Sequence, residues 1–261
     1  MGKLTEALKK AASERLDRVE KISRIKDRKK MIIRKIGDSQ VDERVIAYFD
    51  PKALITEQYK ILRTNVLALN KTHPPKVLVM TSSIHGEGKT ITTLNLAVSV
   101  AHSTEKPKVL VIDADMRRGR VSRYLGVDQE VGLSEVLSGK AEASDALFNL
   151  DIENLAFIAA GSVPENPSEL LSSNKMKKLL ADMKVEFDHI FIDTPPIISV
   201  ADAGIVGAQA DGALMMIQAG RTQRGIIKRA TELLNQTHTK VLGHILTNIE
   251  YHLPEYIYRY L

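Results

Sequence analysis

The stretch TSSIHGEGKTITT, residues 81–93, constrains this chain more than any other. It follows an apolar, β-favouring run, Val77-Leu78-Val79-Met80, and precedes a helical pattern of Leu94, Leu96, Ala97, Val100 and Ala101. Strand, glycine-containing turn, Lys-Thr and helix is the order of a phosphate-binding loop. Successive backbone N–H groups in such a turn make a concave anion nest, and the helix N-terminus adds partial positive charge. Gly86 and Gly88 let phosphate oxygens approach the backbone. Lys89 is placed to reach the β- and γ-phosphates, and the Thr90 hydroxyl to hold Mg²⁺. Ser83 stands where the usual GxxxxGK[ST] string has its first glycine, so the string alone is a near-match. A plain turn before a buried helix is the competing reading, and the strand and helix context favours the nucleotide site. Its contacts are expected from Ser83, Gly86, Glu87, Gly88, Lys89, Thr90 and Ile91.

Two further segments support that site. In KVLVIDADMRRGR, residues 108–120, Val109 to Ile112 is a wholly apolar strand of the kind found in parallel sheets buried on both faces. Asp113, Asp115 and Arg117 stand at its carboxyl end. In HIFIDTPP, residues 189–196, another apolar strand ends in Asp193. Ligands of open α/β sheets bind outside the carboxyl ends of the strands. Three carboxylates there beside a triphosphate read as a Mg²⁺ site plus a base. A single such aspartate would more simply cap the next helix.

The 261 residues suffice for one large α/β domain with a buried core. No apolar run approaches the roughly 18 residues of a membrane span, and Lys3, Lys9 and Lys10 interrupt any signal-peptide pattern. The absence of cysteine excludes disulfides and thiolate metal sites. The net charge of +5 is uneven: residues 1–37 hold thirteen Lys/Arg against five acids, a surplus of eight that leaves −3 for the rest. Leu4, Leu8, Ala12, Leu16 and Val19 share one helical face of this basic leader. It reads equally as a helix on an anionic membrane surface, a partner-docking element, or a solvated arm. Specific nucleic-acid binding is disfavoured, because no aromatic residue interleaves residues 1–37.

Asp50-Pro51 predicts a helix start, with the helix running through EQYKILRTNVLAL to Pro74-Pro75. Glu57, Lys60 and Arg63, spaced by three, fall close together on it. Residues 132–148 read as helical, 155–160 as a strand, 167–187 as one helix, 200–210 as a helix, 213–217 as a strand, 222–237 as a helix and 241–249 as a last strand. Strands alternating with helices imply a mostly parallel sheet covered on both faces, an α/β class with P-loop NTPase-like order. The organisation expected is a leader at 1–41, a nucleotide-binding domain at 42–249 and a tail at 250–261. That tail, with residue 251 included, holds Tyr251, Tyr256, Tyr258 and Tyr260, four of the chain's seven tyrosines. An edge strand and a functional tail fit it about equally.

Taken together, these residues resemble the cytoplasmic domain of bacterial tyrosine kinases, the P-loop autokinases of capsule and exopolysaccharide synthesis. The likeness runs from about Asp42 to Leu261. It rests on SSIHGEGKT, DADMRR as the second Walker-type motif, IFIDTPP as Walker B, AGSVPENPSELLSS, the tyrosine tail, and EQYKILR, similar to a Glu-x-x-Arg-x-x-Arg interface motif. The resemblance implies transfer of the γ-phosphoryl of Mg-ATP to tail tyrosines of a neighbouring subunit. It implies a ring-shaped homo-oligomer through Glu57, Lys60 and Arg63, and a transmembrane activator of the chain-length-determinant type. A phosphotyrosine phosphatase and a peripheral place at the inner face of the cell membrane follow from it too. It assigns Asp113 as the base, Asp115 and Asp193 with Thr90 to Mg²⁺, Arg117 to phosphate or acceptor positioning and Asn248 to the adenine. Two departures stand out: Lys60 replaces an arginine fork by a point charge, and Ile91 replaces a hydroxyl residue. One rival is a partition- or division-site type ATPase switch, against which Ile84 counts, since it occupies the place of that family's signature lysine. The other is a nucleotide-gated adaptor without catalysis.

Overall fold

The segments richest in Val, Ile, Leu and Met become strands, and their order in space brings the acids and the glycine turn together. The structure, a computed structural model, describes residues 41–69 and 76–249, with the backbone of 34–35. Residues 1–33 and 36–40 of the leader, the Pro74-Pro75 break and the tyrosine tail lie outside the described residues. Strands are β1 (Arg34–Lys35), β2 (Val77–Ser82), β3 (Val109–Asp113), β4 (Leu147–Asn149), β5 (Leu155–Ile158), β6 (His189–Asp193), β7 (Gly212–Gln218) and β8 (Val241–Thr247). Helices are α1 (Ile46–Phe49), α2 (Leu54–Leu67), α3 (Lys89–Ala101), α4 (Val121–Leu125), α5 (Leu133–Ser138), α6 (Ala143–Ala146), α7 (Pro167–Ser172), α8 (Asn174–Glu186), α9 (Asp202–Gly207) and α10 (Arg224–Gln236).

The sheet order is β1-β4-β5-β3-β6-β2-β7-β8. All pairings are parallel except β4 with β5. Alternation along β7 shows how both faces are filled. Leu214 and Met216 join the core that contains Leu94, Ala97 and Val98 of α3, whereas Met215 and Ile217 pack with Ala203 of α9 and Ala230 and Leu234 of α10. Strands so placed are apolar throughout, as β2 and β3 are. Leu78, Leu110 and Phe191 are almost wholly shielded, and burying each such side chain stabilises the fold by roughly 1.5–3 kcal/mol.

Three local expectations need correction. Asp50-Pro51 does not open the helix. Asp50 Oδ1 accepts from Lys52 N–H, making a turn, and α2 begins after Ala53. The helical reading of 132–148 breaks into α5, α6 and β4. Glu135 and Asp145 each return a carboxylate to the backbone at their own helix start, so two short helices are capped separately. Phe148 then pairs with Phe157 across the antiparallel ladder. The helix expected over 167–187 is interrupted at Ser173, which is extended and whose hydroxyl accepts from Met176 N–H to start α8.

Candidate active site

Registers bring the chemistry to one place. Met80 of β2 pairs with Asp193 of β6, and Asp193 with Asp113 of β3, so the loop after β2 and both strand-end acids meet at the sheet's carboxyl edge. Gly86 and Gly88 have φ of +84° and +80°, values that glycine adopts without strain. Helix α3 starts with no side-chain cap and no acid in its first turn, leaving its first amides for an anion. Glu87 is buried and braces the loop. Its carboxylate accepts from Ile84 N–H at 2.9 Å, from Gln218 N–H at 3.2 Å and from the Thr222 hydroxyl, while Thr247 Oγ1 donates to its carbonyl at 2.8 Å. Ser83 is also buried and its hydroxyl turns to Met215 Sδ. Neither residue lines the nucleotide-sized cavity of about 630 Å³ that opens over the loop, whereas Gly86, Gly88, Lys89, Thr90 and Ile91 do.

Thr90 Oγ1 donates to Asp193 Oδ2 at 2.6 Å, and Lys89 Nζ lies 3.3 Å from Asp115 Oδ2 and 3.7 Å from Asp193 Oδ2. Burial alone would lower the Lys89 pKa, but Asp193, Asp115 and Asp113 outweigh it and keep the ammonium charged. Burial raises the proton affinity of Asp193 despite Lys89 and Thr90. Asp193 Oδ1 is buried without a hydrogen-bond partner, which leaves its lone pairs open to a cation or an ordered water. Among the described residues no three or more His or acid side chains form a self-contained metal cage. Magnesium needs none, because it binds through one or two protein oxygens, phosphate oxygens and water.

A family model described as an AAA domain matches residues 75–244. The chain is 38% identical over 216 residues to tyrosine-protein kinase YwqD of Bacillus subtilis (strain 168), covering 83% of this chain and 90% of that protein. It is 36% identical over 203 residues to tyrosine-protein kinase CpsD of Streptococcus agalactiae, covering 77% and 87%. The kinase domain of Escherichia coli tyrosine kinase ETK superposes with a TM-score of 0.75 at 32% identity, covering 81% of this chain and 83% of that one. The chain belongs to the bacterial tyrosine kinases. The fold is accordingly that of P-loop NTPase-like kinase domains, and the enzyme class is protein-tyrosine kinase.

In this kinase Asp115 and Asn248 line the cavity, but Asp113 and Arg117 do not. Asp113 is wholly buried and accepts three backbone N–H groups: Asp115 N at 3.0 Å, Arg120 N at 2.8 Å and Val121 N at 2.9 Å. Burial, then Asp193, push its pKa up to about 7. Its oxygens hold the 113–121 turn, and it is Asp115, not Asp113, that lines the cavity. Arg117 Nε reaches buried Asp202 at 3.2 Å and its Nη2 reaches Ser168 Oγ at 3.0 Å, so its charge is spent between α7 and α9. On α2, Glu57 and Lys60 pair at 2.6 Å on the surface, whereas Arg63 Nη1 donates to Ser99 O at 2.7 Å and ties α2 to α3. The cavity also uses residues the sequence reading passed over: Arg118, Arg120, His85, Tyr59 and Arg44. The run of arginines after DADM could have flagged the first two. Nothing local flags Arg44, which sits 5.0 Å over the Tyr124 ring through a contact of distant segments. Burial, then Arg118, lower the His85 pKa, keeping its imidazole neutral near the loop.

Proposed function

We propose that the kinase transfers the γ-phosphoryl group of Mg-ATP to tyrosines of the 250–261 tail, in a neighbouring copy, and thereby regulates polysaccharide polymerisation or export. The observation that carries this reading is the meeting of Lys89, Thr90 and Asp115 at one cavity wall with Asp193 buried directly behind them. Lys89 and the open amides of α3 hold the β- and γ-phosphates and neutralise charge as the γ-phosphorus leaves the bridging oxygen of ADP. The phenol oxygen of tyrosine forms the new P–O bond. Its proton, bound with a pKa near 10 in water, passes to Asp115, the carboxylate at the wall. Asp113 positions Asp115 and the turn. Asn248 borders the adenine end.

Thr90 and the orphan oxygen of Asp193 suit Mg²⁺, which would supply charge neutralisation at the phosphates. The homo-oligomer is assigned to the outer face of α2, where Leu54 and Ile61 are exposed beside the Glu57–Lys60 pair. Among the described residues no helix is long and apolar enough to cross a membrane. Membrane placement through a transmembrane activator of the chain-length-determinant type, with a phosphatase reversing the modification, belongs to this same reading.

Purified protein incubated with labelled ATP and Mg²⁺ should place label on tail tyrosines. Lys89→Met should remove at least 99% of it. Label that persists in the variant, or that stays when Tyr256, Tyr258 and Tyr260 are all phenylalanine, overturns the respective half of the proposal.

A further inference from the structure

We propose that a second cavity, next to the nucleotide site, binds the side chain of an already phosphorylated tyrosine, so that one modified residue presents the next for transfer. This rests on the tail being the acceptor. The cavity measures about 540 Å³, within the range of small-ligand pockets. Arg118, Arg120 and Arg123 line it, and Arg118 and Arg120 also line the nucleotide cavity, so the two share a wall. Among the described residues these three arginines enter no ion pair, while their neighbour Arg117 is bound to Asp202. Three guanidinium groups around one hollow repel one another, and an anion with several acceptor oxygens relieves this through charge-assisted, forked hydrogen bonds.

The rest of the lining is mixed: Met116, Ala160 and Val163 form an apolar part, while Arg117, Ser122 and Gln129 are polar. The wall is held close to this floor, since a Cβ on Gly119 would stand 2.5 Å from Ala160 Cβ. An apolar strip of Met116, Ala160 and Val163 beside a cationic rim suits a phenyl ring bearing a phosphate of charge between −1.5 and −2. The tail sequence supplies the geometry. Tyr256, Tyr258 and Tyr260 alternate, so in an extended chain they project to one side about 7 Å apart. A phosphate gripped by Arg120 and Arg123 then leaves the adjacent phenol at the shared wall, facing Asp115. Each transfer consumes one ATP, breaks its γ-phosphoryl bond to ADP, and forms one phosphotyrosine. Only the order of acceptors is set by the second cavity.

The test uses the full chain saturated with ADP and fluorescent peptides of residues 250–261, read by anisotropy. The peptide phosphorylated on Tyr258 should bind at least tenfold more tightly than the unmodified one. Arg123→Gln and, separately, Val163→Asp, both at exposed positions, should each cut that advantage at least threefold. Equal affinity of the two peptides, or an advantage retained in both variants, overturns the proposal. Competition by inorganic phosphate at the phosphopeptide's own concentration, or equal binding of a phosphoserine peptide, also overturns it. Transfer to unmodified peptide by the unaltered protein is followed in parallel. If transfer persists while the preference is absent, only the second cavity is refuted. If no transfer occurs, the kinase-tail reading itself fails.

Discussion

The two cavities that share Arg118 and Arg120 are opposites in how they handle charge. Around the glycine loop, Lys89 faces Asp115 and Asp193, and Thr90 donates to Asp193. Around the second hollow, Arg118, Arg120 and Arg123 enter no ion pair among the described residues. A compensated site is rigid before its ligand arrives, and its groups are preorganised for a transition state. An uncompensated site gains most of its order when a counter-charge enters. The difference teaches that the first belongs to chemistry and the second to recognition.

The comparison breaks most visibly at the carboxylates. Asp115→Asn removes the wall group that takes the phenol proton and should lower tyrosine labelling by about 10²–10⁴, with the fold retained. Asp113→Asn should act on stability instead. A carboxamide offers one acceptor oxygen where three backbone donors now bond, and leaving buried donors unsatisfied costs about 1–3 kcal/mol. Thermal melting and labelling of both variants separate the roles. Full labelling in Asp115→Asn with none in a folded Asp113→Asn would reverse the assignment.

Arg117 sharpens the contrast at a smaller scale, because it is the one arginine of the 117–123 segment whose charge is answered inside the fold. Arg117→Gln strands the buried Asp202 carboxylate and should lower stability by about 1 kcal/mol, seen as a lower melting midpoint. Loss of transfer with an unchanged midpoint would return Arg117 to the chemistry. The smallest effect is expected at Asp42, whose pKa is held down to about 2 by hydrogen bonds from Arg44 at the cavity rim. A lowered carboxylate pKa stabilises above the unfolded value of 3.8 and loses that contribution as pH falls towards about 2. The melting difference between the unaltered chain and Asp42→Asn should shrink over that window. A difference that stays constant from pH 5 to pH 2.5 would remove the pair from the account.

Much of this was legible in order and little of it in depth. The buried parallel strands announce themselves because shielding on both faces demands unbroken apolar runs, as in β2, β3 and β6. The glycine loop is legible because its backbone needs specific residues at specific steps. What stayed hidden depends on partners far along the chain. The strand character of Leu147–Asn149 is set by pairing with β5 and not by its own pattern. Asp113 and Asp115 look alike in sequence, and only the turn of 115–121 folding back onto Asp113 tells them apart. Arg117 could be given to phosphate from its motif alone, since Asp202 lies 85 positions away.

One tie at the end of the sheet has a consequence for which substrates this kinase meets. Thr247 is fastened to the carbonyl of Glu87, and Asn248 borders the nucleotide cavity. The described chain therefore ends beside the nucleotide cavity, and the twelve residues that follow Ile249 span at most about 40 Å when extended. On the proposed transfer between copies, any unrelated protein offered for modification competes with a tyrosine of the neighbouring copy, held within that reach for as long as the oligomer stays assembled.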